Sequence, residues 1–270
     1  MNNHIKKIAI TAAKKAGKFL LKEYERFDRS TVQLKSHHEI LTKADLISEE
    51  IIIKEINSNF PTHEILSEER GRVGQAGEYL WIIDPLDGST NFSMHNPLWS
   101  ISLAVARTLP QPSPSQGEGE HELILGLVFA PVLDELYLAE LDNGAKLNGR
   151  TIAASNIREG KVLNTFCHGR EKVHIKKAIA YYSKQKLNQL DCRQLGSAAI
   201  ELAYVASGRV ESFAAPGINS WDVAAGALLV REAGGRVTDF NGKQWYLDSI
   251  DMLASNGKVH KELLKVINKR

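Results

Sequence analysis

A short apolar segment that runs into two acids constrains the fold of this chain more than any other feature. Residues Trp81 to Phe92 read WIIDPLDGSTNF, in which an apolar run of strand character ends at Asp84, Pro85 and Asp87. Strands end at sheet edges, where clefts form, and a rigid proline turn there can hold carboxylate oxygens together. Hard oxygen ligands favour a divalent cation, so the segment predicts a metal-binding turn at the end of a buried strand.

Size and charge narrow the class of protein. The chain has 270 residues, 43% of them hydrophobic, which is enough for one large domain or two closely packed halves. Its 34 basic and 32 acidic residues give a net charge of +2. We therefore expect neither a nucleic acid nor a membrane as the main partner.

Cysteine usage and the N-terminus predict a cytoplasmic protein. Cys167 and Cys192 form no zinc pattern and no disulfide framework, and two buried free thiols are the simpler interpretation. The apolar residues of the N-terminus recur at helical spacing, which indicates an amphipathic packing helix and not a signal peptide. No run of about 18 apolar residues predicts a membrane span.

Alternating helical and strand patterns predict a layered α+β fold. Helical patterns cover residues 3–27, 45–59, 173–184, 197–207 and 222–233. Strand patterns around residues 64–67, 81–84, 100–107, 123–129 and 135–140, with turn signals at Asn143-Gly144 and Asn148-Gly149, predict an antiparallel meander. Two further strands are predicted at residues 162–167 and 210–214. We expect two halves, 1–155 and 156–270, and a surface loop from Pro110 to His121 that has nothing to bury.

Glu68 and Asp222 could form one site with the two acids of that turn, but three of these four acids have an ordinary alternative. Glu68 adjoins Glu69, which is typical of a solvated pair; Asp87-Gly88 is typical of a hairpin turn; Asp222 is typical of a helix N-cap. No single one of them establishes a site.

Two longer motifs link these acids. The segment WIIDPLDGSTNF resembles the DPxDG[ST]xN signature of the inositol monophosphatase family, and WDVAAGALLVREAGG resembles its second signature, WDxAAG followed by EAGG. Weaker similarity extends through Lys35, TKAD, SEE, LNG and RQLGSAA, so most of the chain is covered. The family is a lithium-sensitive, magnesium-dependent group of sugar-phosphate phosphatases, and the resemblance implies an α-β-α-β-α sandwich, a homodimer and Mg²⁺ as cofactor.

The resemblance also implies roles for individual residues. The implied metal ligands are Glu68, Asp84, Asp87, Asp222 and the carbonyl of Leu86. The implied catalytic residues are Asp45, Ser89 and Glu68, with Asp45 and Ser89 activating the attacking water, and Ser89 stands where many relatives carry threonine. The implied substrate-binding residues are Asp87, Gly88, Ser89, Thr90, Ala198 and Asp222.

Lys35 and the pair His37-His38 could each have an ordinary structural role instead of a functional one. Lys35 resembles a family position near the first metal ion, but it could equally be a surface lysine. The pair His37-His38 is read as a solvated loop, because adjacent histidines seldom converge on one ion, and carboxylate ligands suit magnesium better than zinc.

Substrate identity depends on a departure from the family pattern. Inositol-specific members carry a glutamate seven residues before the aspartate of WDxAAG, where this chain has Ala215. Loss of that polar contact predicts relaxed specificity or another phosphorylated sugar. An inositol monophosphatase ranks first and a fructose-1,6-bisphosphatase of the archaeal type second, with Arg170 able to reach a second phosphate. A non-catalytic, metal-binding regulatory module is the alternative from another class.

Overall fold

A computed structural model describes residues 2–28, 30, 33–36, 39–109, 121–158 and 162–269. The α-helices of these residues are α1 (Asn2–Arg26), α2 (Lys43–Asn59), α3 (Ser89–Ser93), α4 (Lys172–Leu187), α5 (Ala198–Ala206), α6 (Ser220–Glu232) and α7 (His260–Asn268). The strands are β1 (Gln33–Ser36), β2 (Glu39–Leu41), β3 (Glu64–Ser67), β4 (Gly71–Val73), β5 (Tyr79–Asp87), β6 (Ser100–Thr108), β7 (His121–Ala130), β8 (Glu135–Glu140), β9 (Ala145–Leu147), β10 (Arg150–Ile152), β11 (Leu163–Phe166), β12 (Asp191–Arg193), β13 (Ser212–Pro216), β14 (Arg236–Thr238) and β15 (Asp251–Ser255).

Two sheets organise the chain. The larger has eight strands in the order β10-β9-β8-β7-β6-β5-β3-β4, and the smaller has five in the order β12-β11-β13-β15-β14. From β5 to β10 each strand pairs with the next in antiparallel fashion, which confirms the predicted meander. Gly144, Asn148 and Gly149 have φ values of 73°, 48° and 79°, as left-handed turn positions require.

The first helical layer covers one face of the larger sheet. Helix α1 turns a stripe of Ile5, Ala9, Ala12, Ala16 and Leu20 inward, spaced three and four residues apart as an amphipathic helix requires. This stripe packs with α2 and with the apolar residues of β5, β6 and β7 in one buried cluster.

A second helical layer lies between the two sheets. Helices α5 and α6 pack against each other and against β6 and β7, and the same buried cluster reaches β13 and β15. Close approach needs small residues: a Cβ on Gly126 of β7 would lie 2.5 Å from the carbonyl oxygen of Ala225, and one on Gly226 would lie 2.4 Å from Leu202 Cβ. The close packing of α6 against β7 and α5 therefore depends on Gly126 and Gly226.

The third helical layer, α4 and α7, covers the outer face of the smaller sheet around Tyr181, Phe240, Leu253 and Leu263. The order helices, sheet, helices, sheet, helices confirms the layered α-β-α-β-α sandwich. In the described part of the chain, no helix is long and apolar enough to cross a membrane.

Some details differ from the sequence patterns. The strand predicted at 210–214 lies at Ser212–Pro216, and Cys167 is half-buried whereas Cys192 is buried. Residues 110–120 of the predicted loop lie outside the described residues. The division at 155/156 stays a proposal; the larger sheet ends at Ile152 and the smaller begins at Leu163.

Candidate active site

A bulge near the end of β5 places two acids side by side. Asp84 pairs with Ser102 of β6 and Asp87 with Ser100, so Pro85 and Leu86 together oppose a single residue. Proline cannot donate to a sheet ladder, and a bulge is where a strand accommodates it. The backbone amide of Leu86 donates to Asp84 Oδ1 at 3.0 Å. The sequence DPLD therefore bends the strand end and brings both carboxylates to the sheet edge.

Gly88 lets the chain turn directly from β5 into α3. Its φ is 90°, a left-handed value, and a Cβ there would lie 3.0 Å from the carbonyl oxygen of Leu98 and 3.2 Å from that of Gly196. Both the backbone conformation and the space require glycine. Ser89 and Thr90 form the first turn of α3.

Asp87 is tied to the beginning of α5. Its Oδ2 accepts hydrogen bonds from Ser197 Oγ and from the amide of Ala199 at 3.0 Å, and its Oδ1 accepts from the amide of Ala198 at 3.1 Å. Ser100 Oγ adds a longer bond of 3.3 Å to Oδ2. An acid at a helix N-terminus is favoured by the free amides and by the helix dipole. The 197–199 segment is thereby fixed against β5.

Asp222 lies in the first turn of α6 but is not its N-cap, which corrects the sequence interpretation. The N-cap is Asn219, and Asp222 stands three residues later, where its Oδ2 accepts the Asn219 amide at 3.1 Å in a capping box. From the acid alone, a capping box cannot be distinguished from a simple N-cap in the sequence. Gly234, directly after the predicted 222–233 helix, has the left-handed conformation typical of a helix C-terminus, with φ 81°.

Glu68 follows β3 and is held against β5. Its amide donates to the carbonyl oxygen of Ile83 at 3.2 Å, one residue before Asp84. Its half-buried side chain reaches the cleft described below. The parallel pairing of β3 with β5 thus places this acid next to the first acid of the DPLD turn.

Asp45 occupies the first turn of α2, where it forms a capping box with Thr42. Its Oδ2 accepts the Thr42 amide at 2.8 Å and the Thr42 hydroxyl. Asp45 is 1% exposed. The TKAD segment therefore fixes the orientation of this carboxylate; its action with Ser89 on one water stays a proposal.

One cleft of about 1160 Å³ brings part of the predicted set together. Its lining includes the acids Glu68, Asp87 and Asp222, together with Ala198. Arg170 and residues of α4 also line it. Asp84 is 1% exposed and is not a lining residue, but it lies close enough to the three acids for their charges to raise its pKa.

Ala215 lies away from solvent. It is fully buried in β13, paired with Met252 of β15, and belongs to the core between the sheets. Gly217, two residues later, does line the cleft. The position that the sequence analysis connected with specificity therefore contributes a methyl group to the core.

Burial and mutual repulsion raise the pKa values of three acids at the cleft. Burial, together with the charges of Glu68, Asp87 and Asp222, raises the pKa of Asp84 well above its usual value. Burial and the charges of Glu68 and Asp87 raise the pKa of Asp222 to about 8. Burial raises the pKa of Asp87 to about 6, although the hydrogen bonds from Ser197, Ala199 and Ala198 lower it. A cation here would relieve this mutual repulsion.

The donors suit a hard divalent cation. All four side chains are carboxylates, which Mg²⁺ prefers, whereas zinc sites use histidine or thiolate ligands more often. Among the described residues, no three histidine, cysteine, aspartate or glutamate side chains are already arranged to hold an ion. The fit to Mg²⁺ rests on donor type and charge, and binding would draw the carboxylates inward.

Three residues near the acids escaped sequence reasoning. Glu49 and Glu201 are fully buried, and Glu201 Oε1 accepts the amides of Leu195 and Gly196 at 2.9 and 3.1 Å. Asn91 Nδ2 donates to the carbonyl oxygens of Leu98 and Leu195 at 2.6 and 2.8 Å. Isolated polar residues in a helix give no sequence signal of burial, although Asn91 belongs to the quoted motif.

Two sequence-predicted features cannot be placed. Lys35 belongs to β1, but its side chain lies outside the described part of the structure, as do His37 and His38 entirely. The readings of these residues stay predictions.

Comparison with known proteins identifies the family. The sequence model of the inositol monophosphatase family matches residues 1–270. This chain belongs to the inositol monophosphatase family. It is 39% identical over 271 residues to a protein named Nus factor SuhB from Pasteurella multocida, covering 98% of this chain and 96% of that relative.

Two further relatives carry the family name itself. An inositol-1-monophosphatase from Mesorhizobium japonicum is 35% identical over 274 residues, covering 97% of this chain and 95% of the relative. The solved structure of an IMPase from Thermotoga maritima superposes with a TM-score of 0.83 at 35% identity, covering 99% of this chain and 97% of that one. The layered sandwich is thus the fold of the inositol monophosphatase family.

Proposed function

We propose that this chain is a Mg²⁺-dependent phosphomonoester hydrolase that converts myo-inositol 1-phosphate and water to inositol and phosphate. One observation carries the proposal: Glu68, Asp87 and Asp222, from three separate parts of the chain, line one cleft, and their charges raise the pKa of the buried Asp84 beside them. Buried like charges cost free energy, and a divalent cation that binds them offsets that cost.

The proposed metal site uses the side chains of Glu68, Asp84, Asp87 and Asp222 with the carbonyl of Leu86. Mg²⁺ bound there would neutralise phosphoryl charge and lower the pKa of a water. Asp87 has hydrogen bonds to both oxygens from the beginning of α5, so its orientation is set before any ligand arrives. Of the proposed ligands, Asp87 therefore needs little reorientation on binding.

In the proposed reaction, Asp45 and Ser89 orient the attacking water. Asp45 accepts its proton, and the capping box with Thr42 holds this carboxylate in place. The water oxygen forms a bond to phosphorus, the bond from phosphorus to the alcohol oxygen breaks, and the alkoxide takes a proton from solvent. Gly88, Ser89 and Thr90 are the proposed phosphate-binding segment, and Ala198 contacts the substrate at the cleft wall.

A sugar bisphosphate is the second candidate substrate. The observation that favours it is the lining of the cleft, which includes Arg170, His168 and His174. These side chains can pair with a second phosphate. This reading corresponds to a fructose-1,6-bisphosphatase.

A panel of esters distinguishes the candidates. Phosphate release with Mg²⁺ is measured for inositol 1-phosphate, fructose 1,6-bisphosphate, glycerol 2-phosphate, adenosine 3',5'-bisphosphate and histidinol phosphate, with lithium as inhibitor. The fastest turnover of inositol 1-phosphate supports the first candidate, and the fastest turnover of the bisphosphate supports the second. A protein that binds Mg²⁺ and hydrolyses none of them would instead be the non-catalytic module, a role consistent with the Nus factor name of one relative.

The assembly and location of the protein are part of the same proposal. We propose a cytoplasmic homodimer that acts on a small phosphorylated polyol. Sedimentation velocity of the full chain tests the dimer, because a monomer of 30.0 kDa and its dimer differ twofold in mass.

A further inference from the structure

Helix α2 carries a polar stripe that packs beneath the acidic turns. Asp45, Ser48 and Glu49 are spaced three and four residues apart, so they share one face of the helix. Their exposures are 1%, 0% and 0%. The same face continues with the buried residues Ile52 and Ile56, for which a core role is sufficient. A fully buried carboxylate such as Glu49 costs free energy unless its oxygens are well paired.

Glu49 offsets this cost with hydrogen bonds to the loop that carries Glu68. Its Oε1 accepts hydrogen bonds from Ser67 Oγ and from the amides of Glu69 and Arg70, both at 3.2 Å. Its Oε2 accepts Arg70 Nε at 3.0 Å. The donors stand immediately before and after Glu68, so one carboxylate holds both sides of that residue.

The neighbouring residue on α2 holds the other acidic turn. Ser48 Oγ donates to the carbonyl oxygen of Pro85 at 2.8 Å, directly after Asp84. The amide of Glu68 in turn donates to Ile83, directly before Asp84. Two successive residues of one rigid helix therefore fix the positions of both turns relative to each other.

We propose that Glu49 is a positioning residue for the cation site: it holds the Ser67–Arg70 loop so that Glu68 faces Asp84, without contacting the ion. The inference rests on the proposed function, since it concerns the Mg²⁺ site named there. Groups that orient metal ligands commonly change metal affinity by about 10- to 100-fold when they are altered.

The test compares Glu49→Gln with Glu55→Gln, an equivalent change on the same helix. Glu55 pairs with Lys15 at the surface, away from the acidic turns. Mg²⁺ affinity is measured by calorimetry on the full chain without substrate, and the Mg²⁺ concentration for half-maximal activity is measured beside kcat. We expect Glu49→Gln to weaken Mg²⁺ binding by about 10-fold or more, with kcat largely recovered at saturating Mg²⁺, and Glu55→Gln to leave both unchanged.

Circular dichroism and unfolding without Mg²⁺ show whether Glu49→Gln folds. If it does not, Ser67→Ala replaces it, because this change removes one donor and leaves Glu49 paired with Arg70; its Mg²⁺ affinity should still fall severalfold. Wild-type Mg²⁺ affinity in the folded variant overturns the inference alone. A wild-type protein that binds no Mg²⁺ overturns the proposed function and this inference with it.

Discussion

Ser197 donates its hydroxyl hydrogen bond to Asp87 Oδ2, and this bond joins the last residue of β5 to the N-cap of α5. The two residues are 110 positions apart in sequence, and both are buried. Ser197 Oγ also accepts the amide of Ile200 at 3.3 Å, so one hydroxyl serves the helix cap and the acid together. The acidic turn is consequently held by the beginning of α5.

Ser197→Ala should destabilise the protein and disturb the site. Loss of a buried cap and of a bond to a carboxylate is expected to lower the free energy of unfolding by about 1–2 kcal/mol, because Asp87 keeps its charge with one donor fewer. Ser207→Ala, at the other end of α5, removes bonds only to helix carbonyls and is the control. Urea unfolding measures both; equal effects of the two substitutions would contradict the role given to Ser197.

Gly88→Ala should impair both folding and phosphate release. The substitution combines a left-handed φ with a Cβ placed 3.0 Å from the Leu98 carbonyl oxygen, and a cost of about 1–3 kcal/mol is expected. Gly149→Ala separates the two causes, since Gly149 has φ 79° but, its chain neighbours aside, no atom of the described residues lies within 4 Å of the added Cβ. Thermal unfolding should show a larger loss for Gly88→Ala, and phosphate release should fall in that variant alone. A similar loss at both positions would mean that only the backbone conformation matters.

Stability without Mg²⁺ should fall as the pH rises. Burial raises the pKa of Glu201 to about 8, and burial with the charges of Glu68 and Asp87 raises the pKa of Asp222 to about 8. The folded protein therefore retains protons that the unfolded chain loses near pH 4, so the stabilising effect of these protons is complete below pH 4 and is lost by about pH 8. Unfolding in EDTA between pH 5 and 8.5 measures the trend, and Mg²⁺ should reverse it by binding the folded state.

The variant Glu201→Gln measures how much Glu201 alone contributes to this pH dependence of stability. The amide cannot titrate, so wild-type stability minus variant stability should decrease with rising pH, by up to about 1 kcal/mol per pH unit. A pH-independent difference would show that Glu201 is ionised in the folded protein throughout this range.

Removal of residues 110–120 should leave activity unchanged. The segment joins β6 to β7, whose pairing is already complete at Thr108 opposite His121. A short turn can therefore replace the segment at a small entropic cost. Turnover of the proposed substrate by the shortened protein is the measurement, and a large loss would give the segment a role at the cleft.

Local signals predicted much of this fold because they do not depend on distant contacts. The strand at Glu64–Ser67 and the two Asn-Gly turns follow from residue type and alternation alone. The end of α6 was equally clear from Gly234, but its beginning was not. Asn219 and Asp222 cap the helix jointly, and the acid was the more conspicuous of the two.

Long-range relationships could not be obtained in this way. The sequence motifs grouped the acids through a family resemblance, but the buried bonds of Glu49 and Glu201 come from packing between elements. The same holds for Ala215, whose methyl group faces the core between the sheets. The sequence shows which residues are polar, but only the folded structure shows which of them are buried.

The most direct test of the central claim is phosphate release from inositol 1-phosphate by the wild-type protein and by Asp84→Asn, each with Mg²⁺ and with EDTA. The variant should fold at least as well as wild type without Mg²⁺, because a neutral amide replaces a buried acid. We expect Mg²⁺-dependent release by the wild type and a loss of at least about 100-fold in the variant. Release that EDTA leaves unchanged, or a folded variant with the wild-type rate, would contradict it.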